Sequence, residues 1–192
     1  MRPLFAKALV FSPIAVLAAA AILACAPKPS GETLRSVGPS VPDFTDPCQT
    51  LEGGTGQACG VSAMIERRCG SIDCHGFIRR PLRIYSKYGL RLPPPDPTSE
   101  AGINEPGGSD TTPEEKSANY RSVIGIEPEK TDDVNRGLAG PETLLIYKKP
   151  LGLEHHKGGV PINKSDDSER CLVSWLKGQT DKIACGAAAA LP

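Results

Sequence analysis

The stretch that organises the chain runs from residue 69 to residue 76 and reads Cys69-Gly70-Ser71-Ile72-Asp73-Cys74-His75-Gly76. Two thiols and an imidazole stand close together here, and the second thiol is followed directly by the histidine. A porphyrin with two vinyl groups takes two cysteine sulfurs as covalent anchors and the adjacent imidazole as an iron ligand. The stretch therefore predicts a covalently bound haem c, with Cys69 and Cys74 as thioether anchors and His75 as the proximal ligand.

The spacing of this motif differs from the usual one. Haem c attachment normally uses C-x-x-C-H, whereas this chain has C-x-x-x-x-C-H. Gly70 and Ser71 are small and would let the longer loop bulge outward. The alternative in an exported protein is a Cys69–Cys74 disulfide, which a turn can close when the two Cα atoms are about 5.5 Å apart. A zinc site is less favoured, because zinc needs about four ligands and the other histidines are distant in the sequence.

Residues 1–24 are interpreted as a lipoprotein signal peptide. A positively charged start precedes an uncharged apolar run over residues 8–24, which leads into Cys25. This pattern predicts cleavage before Cys25 and lipidation of its thiol. A plain secretory signal or an uncleaved anchor is the alternative, although the run contains Pro13 and is short for a membrane span. The mature chain would face the periplasm, where disulfides persist, and Ala26 after the lipidated cysteine favours the outer membrane over the inner one.

Composition predicts one loop-rich domain on a tether. Removing the two basic residues of the signal from a total of 22 leaves 20 basic against 22 acidic residues, and this balance does not indicate a nucleic-acid surface. The chain has 20 glycines and 19 prolines, so it needs disulfides or a cofactor besides its core. Residues 25–47 are predicted to be a flexible tether, residues 48–185 the folded domain, and residues 186–192 a disordered tail.

Two helices are predicted in the first part of the domain. The first runs from about Gly60 into Cys69 and delivers the first thiol at its end. The second begins at Thr112, with proline next and glutamate at the third helical position, as in a capping box. It ends at Gly125. Residues 92–111 are predicted to be a loop.

A third helix is predicted near the C-terminus. Ser165 is its predicted cap, Gly178 ends it, and one face carries the apolar stripe Cys171, Leu172, Trp175 and Leu176. Before it, residues 127–140 are predicted to be irregular. Residues 141–150 fit either a short helix or a strand.

Two parts of the chain resemble a known family. Residues 62–76, SAMIERRCGSIDCHG, resemble the start of a cytochrome c domain, and residues 80–85 are similar to the stretch that follows CHG in cytochrome c-like domains of planctomycetes and myxobacteria. Residues 142–159, ETLLIYKKPLGLEHHKGG, resemble the same domains, which carry a His-x-Gly-Gly turn before a last helix with a tryptophan. The resemblance implies a mostly α fold: a small cytochrome c-like domain of about three helices with long Pro/Gly-rich loops. It also implies that Trp175 helps to cover the porphyrin; the alternative is a plain core aromatic.

His156 is the preferred candidate for the distal iron ligand, with His155 second. Met64 lies on the proximal side of the predicted haem, and no methionine follows the motif. The glycines after His156 would let the backbone approach the ring, and they match the family's turn. A bis-histidine iron would have a lower reduction potential than a His/Met iron. The alternative is a solvated loop with two exposed histidines.

Four cysteines remain for disulfides: Cys48, Cys59, Cys171 and Cys185. They can pair in three ways, and the sequence does not choose between them. Local pairing would join Cys48 to Cys59 and Cys171 to Cys185. Crossed pairing would tie the first helical region to the last, and the position of Cys171 on the core face favours such a contact.

The leading hypothesis is a periplasmic, lipid-anchored c-type cytochrome-like protein that binds one haem and its iron and carries electrons without acting as an enzyme. Its partners would be the membrane, through lipidated Cys25, and a periplasmic redox protein. A basic rim of Lys148, Lys149 and Lys157 could steer an acidic partner. The alternative is a disulfide-stabilised envelope lipoprotein without cofactor, acting as a binding or structural module. A peroxidase-like or sensor haem with an open distal site is a third possibility.

Overall fold

The computed structural model of the chain describes residues 38–93 and 108–190. The predicted signal peptide, the lipidation site Cys25 and the tether up to residue 37 lie outside these ranges. None of the helices in the described part of the chain has the length and apolar character needed to cross a membrane.

The fold is mostly helical, as predicted. Seven α-helices occur in the described residues, where about three were predicted. They are α1 (Val41–Thr45), α2 (Val61–Cys69), α3 (Pro113–Ile124), α4 (Pro128–Asn135), α5 (Leu145–Lys148), α6 (Asp167–Leu176) and α7 (Lys182–Ala190). A 3-10 turn at Pro141–Thr143 precedes α5. Two short strands, β1 (Gln49–Thr50) and β2 (Gln57–Ala58), pair antiparallel.

The predicted helix boundaries are largely confirmed. Gly60 caps α2, which ends at Cys69. Helix α3 has the predicted capping box, in which the Glu115 N–H donates to the Thr112 hydroxyl oxygen at 3.2 Å and the Thr112 N–H donates to the Glu115 carboxylate at 2.9 Å. The cap of α6 is Asp166 rather than Ser165, because the Asp166 carboxylate accepts the N–H of Glu169 at 2.8 Å.

Two predictions of irregular structure were wrong. Residues 128–135 form α4, which begins with a proline and buries Thr131 and Val134 three positions apart. Residues 186–190 belong to α7 rather than to a disordered tail. Alanine is the strongest helix former, and here Ala184 and Ala188 are fully buried.

The folded part also begins earlier than predicted, so residues 38–47 are not a tether. Phe44 of α1 is fully buried. Its ring lies 5.1 Å from that of Trp175 and 5.6 Å from that of Tyr120, measured between centroids. The Trp175 indole N–H donates to the Ser40 carbonyl at 3.1 Å. Trp175 is therefore the central aromatic of the core, and the segment before Cys48 is part of that core.

The disulfides follow the local pairing, Cys48–Cys59 and Cys171–Cys185. The preference for a crossed contact was wrong, although Cys171 does lie fully buried on the core face of α6. Helix α7 returns against α6 and brings the equally buried Cys185 to it. This pair is one of the three pairings that the sequence allows, but a tail over residues 186–192 would not indicate the helix that carries Cys185 back to Cys171.

Replacing Cys171 and Cys185 together by alanine is expected to lower the free energy of unfolding by about 3 kcal/mol, the chain-entropy value for a loop of about 15 residues. Urea unfolding of the oxidised protein measures this loss. The wild-type protein unfolded with reductant is the control, and its stability should fall at least as far. An unchanged urea midpoint in the double variant would show that this bridge does not form.

A buried ion pair joins the segment after the motif to α3. The Arg91 guanidinium donates to both carboxylate oxygens of Glu115, at 2.9 and 3.0 Å, and both side chains are almost fully buried. The same carboxylate accepts the Leu92 N–H at 2.8 Å. Burial works to raise the pKa of Glu115, but the bonds from Arg91, Thr112 and Leu92 hold it below its usual value. Glu115 therefore caps a helix and neutralises a buried arginine at once.

Candidate cofactor site

The long C-x4-C loop folds into a compact turn at the end of α2. The His75 N–H donates to the Cys69 carbonyl at 2.9 Å. The N–H groups of Cys74 and Gly76 both donate to the Ser71 carbonyl, at 3.0 and 2.9 Å. These bonds absorb the two additional residues and bring His75 back to the helix end that carries Cys69.

Glycine after the histidine is required by close backbone packing. A Cβ atom at Gly76 would lie 2.1 Å from the Gly70 carbonyl oxygen, and a Cβ at Gly89 would lie 2.4 Å from the same oxygen. The Ser86 hydroxyl also donates to this carbonyl, at 2.7 Å. The loop that holds His75 is thus packed against the segment around Gly89, a contact that sequence reasoning missed.

Substituting Gly76 by alanine is expected to destabilise the fold by roughly 1–3 kcal/mol, the usual cost of overpacking, and to displace His75. The melting temperature and the accessibility of His75 to diethyl pyrocarbonate measure the two effects. Gly38→Ala is the matched control, because a Cβ there meets only the Tyr120 hydroxyl at an ordinary 3.6 Å. Equal stability of the two variants would contradict the packing described here.

The motif cysteines are both unpaired and partly exposed. Burial of the thiol raises the pKa of Cys69 to about 12, and the nearby Cys74 adds to the shift. The Cys69 sulfur is therefore protonated at neutral pH. The Cys69–Cys74 bridge of the alternative hypothesis is not formed, although two other pairs of cysteines are bonded.

One ring nitrogen of His75 is hydrogen-bonded to the backbone. Its Nδ1–H donates to the Leu82 carbonyl at 3.1 Å, which leaves the lone pair on Nε2. Burial is the main cause that lowers the pKa of His75, and His156 and Arg80 lower it further against the opposing effect of the Leu82 bond. The imidazole is therefore neutral at pH 7, the form that binds metals.

His156 is held in the same way by its own turn. Its Nδ1–H donates to the Gly159 carbonyl at 2.9 Å, and the Gly159 N–H donates back to the His156 carbonyl at 3.1 Å. Gly159 has a φ of 77°, which favours glycine, and a Cβ at Gly158 would lie 3.0 Å from the His156 ring. The two glycines thus fix the ring position. His155 is exposed, and its backbone carbonyl accepts a hydrogen bond from the Lys149 ammonium at 3.2 Å.

The fold brings His75 and His156 together as a parallel pair. The ring centroids lie 5.9 Å apart and the ring planes differ by 8°. No group of three or more His, Cys, Asp and Glu residues in the described ranges could hold a metal ion. A metal between these imidazoles would therefore take its remaining ligands from a group outside the protein.

Two adjoining cavities surround this histidine pair. The first is apolar, encloses about 420 Å³ and reaches from Cys69 to the short helix α5. The second is polar and encloses about 320 Å³. Both are lined by His75, Pro81, Lys149 and His156. Such volumes are typical of cofactor pockets. Because the two histidines line both cavities, they lie between an apolar interior and a polar mouth.

The two cavities differ in their remaining side chains. Aliphatic residues cover the apolar cavity: Leu82, Ile126, Leu145 and Ile146. The polar cavity adds Asp73, Arg80 and Lys157, and also Cys74 and His155. A flat, largely apolar ligand with acidic groups at one edge would match this division.

The predicted site residues are thus mostly brought together. Cys69, Cys74, His75 and His156 share one site, and His155 lies only at its polar mouth. Trp175 lines neither cavity, so the expectation that it covers a porphyrin is not met. The aliphatic wall was missed, because only two of its residues, Leu145 and Ile146, lie in an apolar run of the sequence.

The predicted basic rim is partly neutralised. Lys148 and Lys149 both bond to the Glu154 carboxylate, at 3.2 and 3.0 Å. Lys157 remains exposed at the polar mouth. Comparison with known proteins finds no matching family model and no significant match among curated proteins or solved structures.

Proposed function

We propose that this protein is a lipid-anchored, periplasm-facing electron carrier of the cytochrome c-like kind, with one haem bound covalently to Cys69 and Cys74. His75 is its proximal iron ligand and His156 its distal ligand. The observation that carries the proposal is the parallel pair of imidazoles. Their ring centroids are 5.9 Å apart, although the two histidines are 81 residues apart in the chain. The anchor and the location rest on residues 1–25 of the sequence alone.

The chemistry of the chain's residues suits a ring with an iron at its centre. Both histidines donate their Nδ1–H to backbone carbonyls, so both keep Nε2 for a metal. The aliphatic wall from Leu82 to Ile146 would exclude water from one side of the ring. Arg80, Lys149 and Lys157 would place positive charge next to acidic groups at its edge.

When bound, the haem would supply the one-electron exchange between ferric and ferrous iron. The chain's own part would be to hold two imidazoles in fixed positions in both oxidation states. Hydrogen bonds to carbonyls and the tight glycine packing provide this rigidity. A site that barely rearranges favours fast electron transfer over reaction with a substrate.

The proposal is tested by expressing the full chain in a bacterial host that attaches haem c and staining a denaturing gel for covalent haem. We expect a stained band and a low-spin absorbance spectrum. The Cys69→Ser/Cys74→Ser variant should give no stained band. A colourless wild-type product would refute the proposal.

The alternative is a disulfide-stabilised envelope protein without cofactor. The apolar cavity of about 420 Å³ favours it, since that cavity could hold an apolar ligand directly. A colourless, folded product that binds an apolar dye in this cavity would support it.

A further inference from the structure

We propose that residues 72–83, which we name the arginine loop, form the docking surface for an acidic one-electron carrier protein. The inference deepens the proposed function and rests on it.

The first observation is a strong local excess of positive charge. The arginine loop itself contains three arginines and one acidic residue, Asp73, and residues 74–93 contain five Lys or Arg residues and no Asp or Glu, whereas the whole chain has 22 of each kind. Lys87 pairs with Asp110 and Arg91 pairs with Glu115. The other three, Arg79, Arg80 and Arg83, are exposed and have no carboxylate partner within residues 38–93 and 108–190.

The second observation is that apolar side chains are exposed among these arginines. Ile72, Phe77 and Ile78 are 47%, 41% and 56% exposed. Exposed aromatic and aliphatic side chains beside arginine are typical of the centre of a protein interface. The composition thus fits a partner whose surface is apolar at its centre and acidic around it.

The third observation is that the arginine loop lies at the mouth of the candidate site. Arg80 donates to the carbonyls of Asp73 and Cys74, both at 3.2 Å, and so folds the segment back onto the motif. Arg80 and Pro81 also line the polar cavity beside His75 and His156. A protein bound to the arginine loop would be close to the iron that His75 and His156 would hold in the proposed haem, as electron transfer requires.

An anionic membrane would also attract arginines and exposed apolar side chains. A lipid surface, however, neither gives nor takes an electron, whereas a reduced carrier protein can pass one electron to ferric haem. The position of the arginine loop at the site therefore favours a protein partner.

The test uses the haem-loaded full chain with the Cys25→Ser change and an acidic flavodoxin in its hydroquinone form as the probe. Stopped-flow absorbance measures haem reduction as one electron leaves each flavodoxin. At low salt, Arg79→Glu/Arg83→Glu should slow the second-order rate at least about ten-fold, because steering raises association rates by 10–10³. High salt should reduce this difference. Phe77→Ser/Ile78→Ser should slow the reaction at both salt concentrations.

Lys164→Glu/Lys177→Glu is the matched control, with the same charge change at exposed residues that line neither cavity around the histidine pair. It should react like the parent chain. An unchanged low-spin spectrum in every variant separates this test from that of haem binding. Equal rates for the arginine variant and its control would overturn the proposal. Loss of binding to phosphatidylglycerol vesicles, with an unchanged rate, would overturn it in favour of a membrane.

Discussion

Replacing His156 by alanine is expected to convert a six-coordinate, low-spin haem into a five-coordinate, high-spin one. The change removes the imidazole that lies parallel to His75 at 5.9 Å. Apart from His75 and the anchor Cys69, no other histidine, cysteine or methionine among the described residues lines the apolar cavity. The reduction potential should rise, because a strong basic ligand no longer stabilises the ferric iron. Absorbance spectra and a redox titration measure both effects.

His155→Ala is the matched control for this change. His155 is adjacent in sequence and exposed, and the structure pairs the other ring with His75. We expect a wild-type spectrum from it. If His156→Ala also left the spectrum unchanged, the distal site would be open, as in a sensor or peroxidase-like haem.

Glu115→Ala is expected to destabilise the folded protein by about 3–5 kcal/mol, which is the cost of removing one partner from a buried ion pair. The change would leave Arg91 charged and buried, and it would also remove the N-cap partner of Thr112. This loss is a large share of the free energy of unfolding of a typical domain, which is ~5–15 kcal/mol. Urea unfolding measures the loss at neutral pH.

Glu114→Ala is the control, since Glu114 is exposed on the same first turn of α3 and has no ion-pair partner among the described residues. Its effect should stay within about 0.5 kcal/mol. Acid gives a further check, because the pKa of Glu115 is held low in the folded state. Its contribution is therefore present above the unfolded pKa of about 4.3 and disappears as the pH falls through the lower folded value. Similar stability of the two variants would contradict the buried pair.

The features that could be predicted from the sequence are those that depend on residues close together in the chain. Thr112 and Glu115 form a capping box through their own side chains, so four residues define the start of α3. The apolar stripe on α6 is likewise local, and each of its four residues is buried. The preference for His156 over His155 came from the glycines that follow it.

Other features depend on distant contacts and could not be predicted. Gly186 lies against the Gln57 backbone, where a Cβ would be 1.8 Å from its carbonyl oxygen, and this packing helps to place the alanine-rich segment as α7. The disulfide between Cys171 and Cys185 depends on the same packing, because α7 carries Cys185 to Cys171 on α6. The aliphatic wall of the cavity combines Leu82, Ile126 and Ile146 from three separate segments, so no single stretch indicates it.

The most direct measurement is mass spectrometry of the tryptic peptide that spans residues 69–79 of the protein made in a haem c-attaching host. Cleavage after Arg68 and Arg79 isolates both motif cysteines and His75 in one peptide. We expect the mass of this peptide to be increased by that of one haem, carried on Cys69 and Cys74. A haem-free peptide that is two hydrogens lighter, with these two sulfurs bonded to each other, would contradict it.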